Sequence, residues 1–252
     1  MSYCIAASIN EGLILVSDSR TNAGIDNVST HGKMHAFATA NDRKIVLLCA
    51  GNLATTQAVL EQLHRDKIKN AQTSLNTVEC LSEAAAYLGH VSLEKQKQHV
   101  NPEGQSAFNP SASFILAGQI GAEEPHGAYM VYAEGNSITT SANTPFLQIG
   151  ESKYGKPILD RFLKLGTPID EAARCCLVSM DSTIRSNASV GPPVEMLVYC
   201  KDSFSLNEYY CFDDDNDYLL QLRRSWEAKL REAIAALPGL NKESVKPMPV
   251  TL

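Results

Sequence analysis

The chain has 252 residues, 44% hydrophobic and 20% charged, so it can bury a sizeable core and lacks the composition of a disordered protein. Its 28 acidic against 22 basic residues leave a net charge of −6, which argues against nucleic acid as the main partner, since no basic stripe is there to displace counterions. The longest apolar run, Lys44 to Ala50, is strand-sized and far short of the ~20 residues a membrane span needs, so no membrane partner is expected.

The start, Met1-Ser2-Tyr3-Cys4-Ile5-Ala6, has no basic n-region and no signal-type apolar stretch, which argues against secretion by that route. Seven cysteines form no disulfide framework, and Cys4, Cys49, Cys80, Cys176 and Cys200 sit among apolar neighbours, as reduced core cysteines do. These features read as a soluble cytoplasmic protein.

In chain order, Tyr3 to Ile9 and Leu13 to Ser17 read as strands joined by a turn at Asn10-Glu11-Gly12. Asp18 to Gly32 is a long polar loop, of the kind that is often functional. Lys33 to Thr39 and Lys44 to Ala50 are two further strands. The spacing of Leu53, Val59, Leu60 and Leu63 then predicts a helix, with Asn52 or Thr55 as its cap. A second helix is predicted from about Leu75 through Leu93, fading into a solvated Glu94-Lys95-Gln96-Lys97-Gln98 end and a polar loop from Asn101 to Pro110. Strands follow at Ser111 to Gln119, Ala128 to Tyr132 and Phe146 to Ile149. Helices come next at about Lys156 to Leu165 and Ile169 to Ser186, then a hairpin from Val194 to Lys201 and Ser203 to Cys211. A last helix carries Leu219, Leu222, Trp226, Leu230, Ile234 and Leu237, ends at Pro238-Gly239, and leaves an extended tail from about residue 239. Segregated runs of strands and helices predict stacked antiparallel sheets covered by helices, an α+β arrangement in one domain over 1–252.

The common chemical motifs are absent: no dinucleotide or P-loop glycine pattern, no H-E-x-x-H, no C-x-x-C and no G-x-S-x-G. The six histidines are scattered, and His31 and His35 would not share a helical face, so neither a metal nor a cofactor is expected. Asp213 to Asp217 lacks the turn glycine and distal glutamate of a calcium loop and reads as an acidic helix start. Cys175-Cys176 reads as core.

The amino terminus is different. Ser2 is small enough for Met1 to be removed ahead of it, which would expose a serine bearing a free α-amine. An α-amine has a pKa of roughly 8, so nucleophile and general base would stand on one residue. By itself this means little, because a Met-Ser start is common. Its context is Ser2 opening into a strand, Asp18-Ser19-Arg20 after the second strand, Gly32-Lys33 before the third, and Ala50-Gly51 joining the fourth to a helix.

This set resembles the proteasome β-subunit family of N-terminal nucleophile hydrolases. The Ser19-Arg20-Thr21-Asn22-Ala23-Gly24 run, with Met180 to Thr183 and Ser189-Val190-Gly191, is similar to its bacterial Anbu branch. The resemblance implies a four-layer αββα sandwich with two stacked antiparallel sheets. It also implies an N-terminal nucleophile peptidase or amidohydrolase that assembles into a ring or spiral of identical subunits.

The same resemblance assigns roles. Ser2 would be the nucleophile, Lys33 would lower its pKa and help move the proton, and Asp18 would hold Lys33. The Gly51 N–H would face the oxyanion, Ser189 would support the α-amine, and Arg20 would brace the loop. Taken singly, Asp18 reads as a turn residue, Lys33 as a strand-end lysine and Gly51 as a turn glycine. The sequence departs from the family in having serine for threonine at the nucleophile, Gly150-Glu151-Ser152 for Gly-Ser-Gly, and Ser186 for the aspartate that precedes Ser189. Either Glu151 or Ser152 takes the supporting position. A substrate-binding pocket is expected near Asn22, Thr30, His31 and Ala50 to Leu53.

Three functions follow: a self-assembling peptidase, a narrow amidase or acyltransferase on a peptide-like substrate, or a non-catalytic ring scaffold. Nothing in the chain forms a nucleotide site, so an ATPase partner would be a separate chain, as would an amide-bond-forming enzyme.

Overall fold

A computed structural model describes residues 2–22, 28–40, 42–99, 109–240 and 248 of the chain. The elements run β1 (Tyr3–Ile9), β2 (Gly12–Asp18), β3 (Arg20–Asn22), β4 (Val28–Thr30), β5 (Met34–Ala40), β6 (Arg43–Gly51), α1 (Leu53–Ile68) and α2 (Leu81–His99). They continue as β7 (Ala112–Ile120), β8 (Gly127–Val131), β9 (Ser137–Thr139), β10 (Phe146–Gly150), α3 (Ser152–Phe162), α4 (Ile169–Ser186), β11 (Val194–Cys200), β12 (Glu208–Phe212) and α5 (Asp217–Ala235). The chain divides into two compact units, Met1–Asn216 and Asp217–Leu252.

Within the first unit, one antiparallel sheet has the order β10-β1-β2-β11-β12 and the other the order β5-β6-β7-β8-β9. The layering follows from side-chain alternation. On β6, Val46, Leu48 and Ala50 enter the core between the sheets, where they meet Cys4, Ala6, Leu13 and Leu15 of the first sheet. Ile45, Leu47 and Cys49 point the other way, into the core beneath α1 and α2 with Val59, Leu63, Ala85 and Leu88. Helices α3 and α4 pair with each other, and α4 packs on β1 and β2. The result is the expected αββα sandwich. Each central strand is buried on both faces, so its sequence reads as a continuous apolar run rather than an alternating one.

Several elements differ from expectation in informative ways. The Asp18 to Gly32 loop contains the small β3–β4 hairpin, with Arg20 opposite Thr30 and Asn22 opposite Val28, while its tip at residues 23–27 lies outside the described residues. The second helix begins at Leu81, not Leu75. Thr77 Oγ1 accepts from the Ser74 N–H at 2.9 Å, and Arg43 Nη1 donates to the Val78 carbonyl at 3.0 Å, so local side-chain bonds claim the backbone groups a helix would need. Leu75 and Val78 reach the core from this turn instead. At the other end of α2, Gln96 is not solvated. It is buried, donating to the Ala133 carbonyl at 2.9 Å and to Ser92 Oγ at 3.0 Å.

Helix α3 starts at Ser152, four residues before the predicted Lys156, and the closing hairpin resumes only at Glu208. The strand Ser137–Thr139 carries too little apolar signal to be read. In the second unit, α5 carries the predicted stripe from Leu219 to Ile234 but ends at Ala235, before Leu237, and it buries none of its residues, with Leu230 and Ile234 exposed. Most of the loop from Asn101 to Pro110 and of the tail lies outside the described residues.

Candidate active site

The start of β1 is fixed by four hydrogen bonds. Tyr3 N–H donates to Asp18 Oδ1 at 2.9 Å, and the Ser2 carbonyl accepts from the Glu151 N–H at 2.8 Å. The fully buried Tyr3 ring holds its hydroxyl 2.8 Å from Ser179 Oγ and accepts from Gln148 Nε2. Gly150 lies opposite Tyr3 with φ +83°, and a Cβ there would stand 1.9 Å from the Ser2 carbonyl oxygen. Only glycine lets Ser2 sit against this strand.

Asp18 closes β2 and is fully buried, while Lys33 immediately precedes β5 and is 5% exposed. Lys33 Nζ lies 2.6 Å from Asp18 Oδ1 and donates to the Arg20 carbonyl, also at 2.6 Å. The Gly191 N–H donates to Asp18 Oδ2 at 3.2 Å. Burial pushes the Asp18 carboxyl above its ordinary value, and the Lys33 charge and these hydrogen bonds oppose that rise.

Lys33 opens onto a cleft of about 670 Å³ whose wall also includes Ser2, His31, His35, Cys49, Gly51, Asn52 and Leu53. Gly51 has φ +113°, and a Cβ on it would stand 2.5 Å from the Ser111 carbonyl oxygen, so the strand-to-helix corner requires glycine. Asn52 caps α1, its Oδ1 accepting from the Thr55 N–H at 3.2 Å. Burial pushes the Cys49 thiol up to about 12, which leaves it protonated and inert beside the cleft. Its Sγ is 3.8 Å from His35 Nε2, and burial holds the His35 imidazole below its ordinary value. Among the described residues, no group of three or more His, Cys, Asp or Glu is placed to hold a metal. No described helix is long and apolar enough to cross a membrane.

No protein-family model and no curated protein matches the sequence. Solved structures do. Anbu, the ancestral β-subunit, from Yersinia bercovieri is 42% identical over 95% of this chain and 99% of its own, with a TM-score of 0.88. The helical assembly of the Anbu complex from Pseudomonas aeruginosa is 43% identical over 96% of this chain and 100% of its own, with a TM-score of 0.90. Anbu from Hyphomicrobium sp. strain MC1 is 35% identical over 95% and 99%, with a TM-score of 0.86. The chain belongs to the Anbu family.

Of the residues singled out from sequence, this Anbu chain brings Ser2, Lys33 and Gly51 to one cleft, with Asp18 beneath it. Arg20 braces the base of the β3–β4 hairpin. Its N–H donates to the Gly191 carbonyl at 3.2 Å and its Nη1 to the Ala188 carbonyl at 3.0 Å. Ser189 does not line the cleft. It is half-buried in the turn after α4, with its N–H donating to Asn187 Oδ1 at 2.9 Å, and it connects to the site through Gly191 two residues on. Ser186 is exposed at the end of α4.

Glu151 meets Ser2 through its backbone N–H, while its carboxylate lies 3.8 Å from Lys153 Nζ. Ser152 offers its carbonyl to Gln148 Nε2 at 3.4 Å. His31 and Ala50 to Leu53 line the cleft as expected, together with Thr21; Thr30 does not line it, and the side chain of Asn22 lies outside the described residues. The sequence reading missed His35, Cys49 and Glu195. Glu195 did carry a signal, as a lone charge inside the apolar run Val194 to Val198.

Proposed function

We propose that this chain is a self-assembling, proteasome-type amide hydrolase whose nucleophile is Ser2, exposed by removal of Met1. The observation that carries the reading is the buried Lys33–Asp18 pair at 2.6 Å, opening onto the cleft that Ser2 and Gly51 also line. A lysine this buried needs a reason, because desolvating two charges offsets most of their attraction. A fixed positive charge beside a hydroxyl nucleophile is such a reason.

In this reading the free α-amine of Ser2 takes the Oγ proton as Oγ adds to a substrate carbonyl. Lys33 stabilises the alkoxide character of Oγ, and Asp18 keeps Lys33 in position. The Gly51 N–H donates to the oxyanion, a contribution worth roughly 10²–10³ in rate. The α-amine then protonates the leaving amine, and water takes the same route to release the acyl group. Ser189 acts on the terminus through its turn, as a support.

Assembly into a ring or spiral is supported by the helical assembly of the Pseudomonas aeruginosa Anbu complex. The substrate is a peptide or a peptide-like amide, the compartment is the cytoplasm, and an ATPase or amide-bond-forming enzyme would act as a separate chain. The non-catalytic scaffold keeps one specific observation in its favour: the position of the family aspartate is the exposed Ser186, and Ser189 is off the cleft.

The test is release of amine from a peptide library and from peptide conjugates by untagged protein, against Ser2→Ala. Turnover that Ser2→Ala abolishes is expected. Turnover of one conjugate alone would select the narrow amidase, and identical traces for the two proteins would sink the catalytic reading.

A further inference from the structure

Glu195 interrupts β11, where Val194, Met196 and Leu197 are apolar and buried. Its Oε1 accepts from Tyr209 Oη on β12 at 2.6 Å. Its Oε2 faces Ser17 Oγ at 3.5 Å and Ser19 Oγ at 3.3 Å, both donating. Ser17 and Ser19 flank Asp18, and at 0% and 3% exposure both are as inaccessible as the aspartate itself. The same Oε2 lies 3.6 Å from where a Cβ on Gly32 would stand, next to Lys33. One carboxylate therefore accepts from the residues on either side of Asp18 and stands near Gly32, the residue that precedes Lys33. The carboxylate is half-buried, and three hydroxyls donate to it. Its neighbours Val194, Met196 and Leu197 are apolar, so this lone charge in the strand calls for a role.

We propose that Glu195 is a positioning residue for the candidate site, tying β2, β11 and β12 beneath the Gly32–Lys33 turn so that Asp18 and Lys33 meet, and supplying a negative charge that the cleft feels. The catalytic half of this rests on the reading of Ser2 as nucleophile, and the electrostatic half does not. The carboxylate stands beside Gly32, which lines the cleft with His35, and there its charge opposes the lowering of His35 by burial and adds to the rise of the Cys4 and Cys49 thiols. The other groups facing His35 are Cys49, the Gly32 backbone and the charge of His64.

The experiment uses the full chain as wild type, Glu195→Gln, Glu195→Asp and Tyr209→Phe. It measures the His35 side-chain titration by NMR, the pH profile of Ser2 modification by a peptide epoxyketone, and the thermal midpoint. Glu195→Gln is expected to titrate His35 at lower pH than wild type and to slow modification roughly tenfold to hundredfold, the range small misplacements produce. Glu195→Asp returns the charge without the reach, so His35 recovers further than the rate. Tyr209→Phe loses one hydrogen bond at an exposed edge, so it slows modification while leaving His35 unmoved.

An unmoved His35 in Glu195→Gln overturns the electrostatic claim, and an unchanged modification rate overturns the positioning claim. If Glu195→Gln fails to fold, an unchanged rate in Tyr209→Phe overturns the proposal. A wild type that is never modified defeats the nucleophile reading, and the Glu195 charge is then decided by His35 alone.

Discussion

Asp18 and Lys33 are fifteen positions apart, and neither residue type points to the other until the fold joins them. Their mutual dependence is the first consequence. Asp18→Asn leaves Lys33 charged and buried without its carboxylate, and about 3–5 kcal/mol of stability should be lost, as for other buried pairs with one partner removed. Replacing both, as Asp18→Leu with Lys33→Met, should recover most of that stability while leaving no activity. Chemical denaturation of the single and double variants checks this, and a double variant as unstable as the single one would show that the loss comes from packing, not from an orphaned charge. That Ser2, Lys33 and Gly51 meet at one cleft with Asp18 beneath was legible only through the family resemblance of their motifs, which sit at turns and strand ends. Glu195 and His35 were not, because their partners come from other strands and nothing in their own neighbourhood names those partners.

The elements around the site act as clamps. β1, β10 and Glu151, which precedes α3, converge on Ser2, and the narrowest point is Gly150. A side chain there meets the Ser2 carbonyl at 1.9 Å with the backbone at φ +83°. Gly150→Ala should therefore displace the terminus before it disturbs the sheet. The expected outcome is a folded protein that has lost Ser2 reactivity, checked by circular dichroism beside a labelling assay; a variant that labels at the wild-type rate would contradict this account.

The same scale explains what periodicity could and could not give. The helix at Ile169 was read at both ends, and the one at Leu53 was left between two caps, of which Asn52 is the one used. The false start at Leu75 arose because buried apolar residues in a turn mimic helical spacing when side-chain bonds from Thr77 and Arg43 hold the backbone. β3, β4 and β9 are three residues each, too short for any period to show.

At the scale of the molecule, the sandwich keeps several ionisable groups neutral by enclosing them. Burial raises Tyr3 well above its ordinary 10.0, raises Cys49 from 9.0 to about 12, and also raises Cys4 and Cys176 well above 9.0. In each case the folded state holds a proton that the unfolded chain releases first. Stability is therefore fully present below about pH 9 and falls as pH rises toward 12, by up to about 1.4 kcal/mol per pH unit for each group. Thermal midpoints measured from pH 8 to 11 should decline progressively, and a flat profile would mean that these groups are not held as described. The layered architecture was legible from segregated strand and helix runs, whereas the division at Asp217 was not, since the stripe on α5 reads as a helix like the others.

The central claim is tested most directly by the intact mass of untagged protein after exposure to a peptide epoxyketone, a warhead that requires a hydroxyl and a free α-amine on one residue. The account predicts loss of Met1 and a single adduct on Ser2. Retained Met1, or a processed terminus that never takes the adduct, would contradict it.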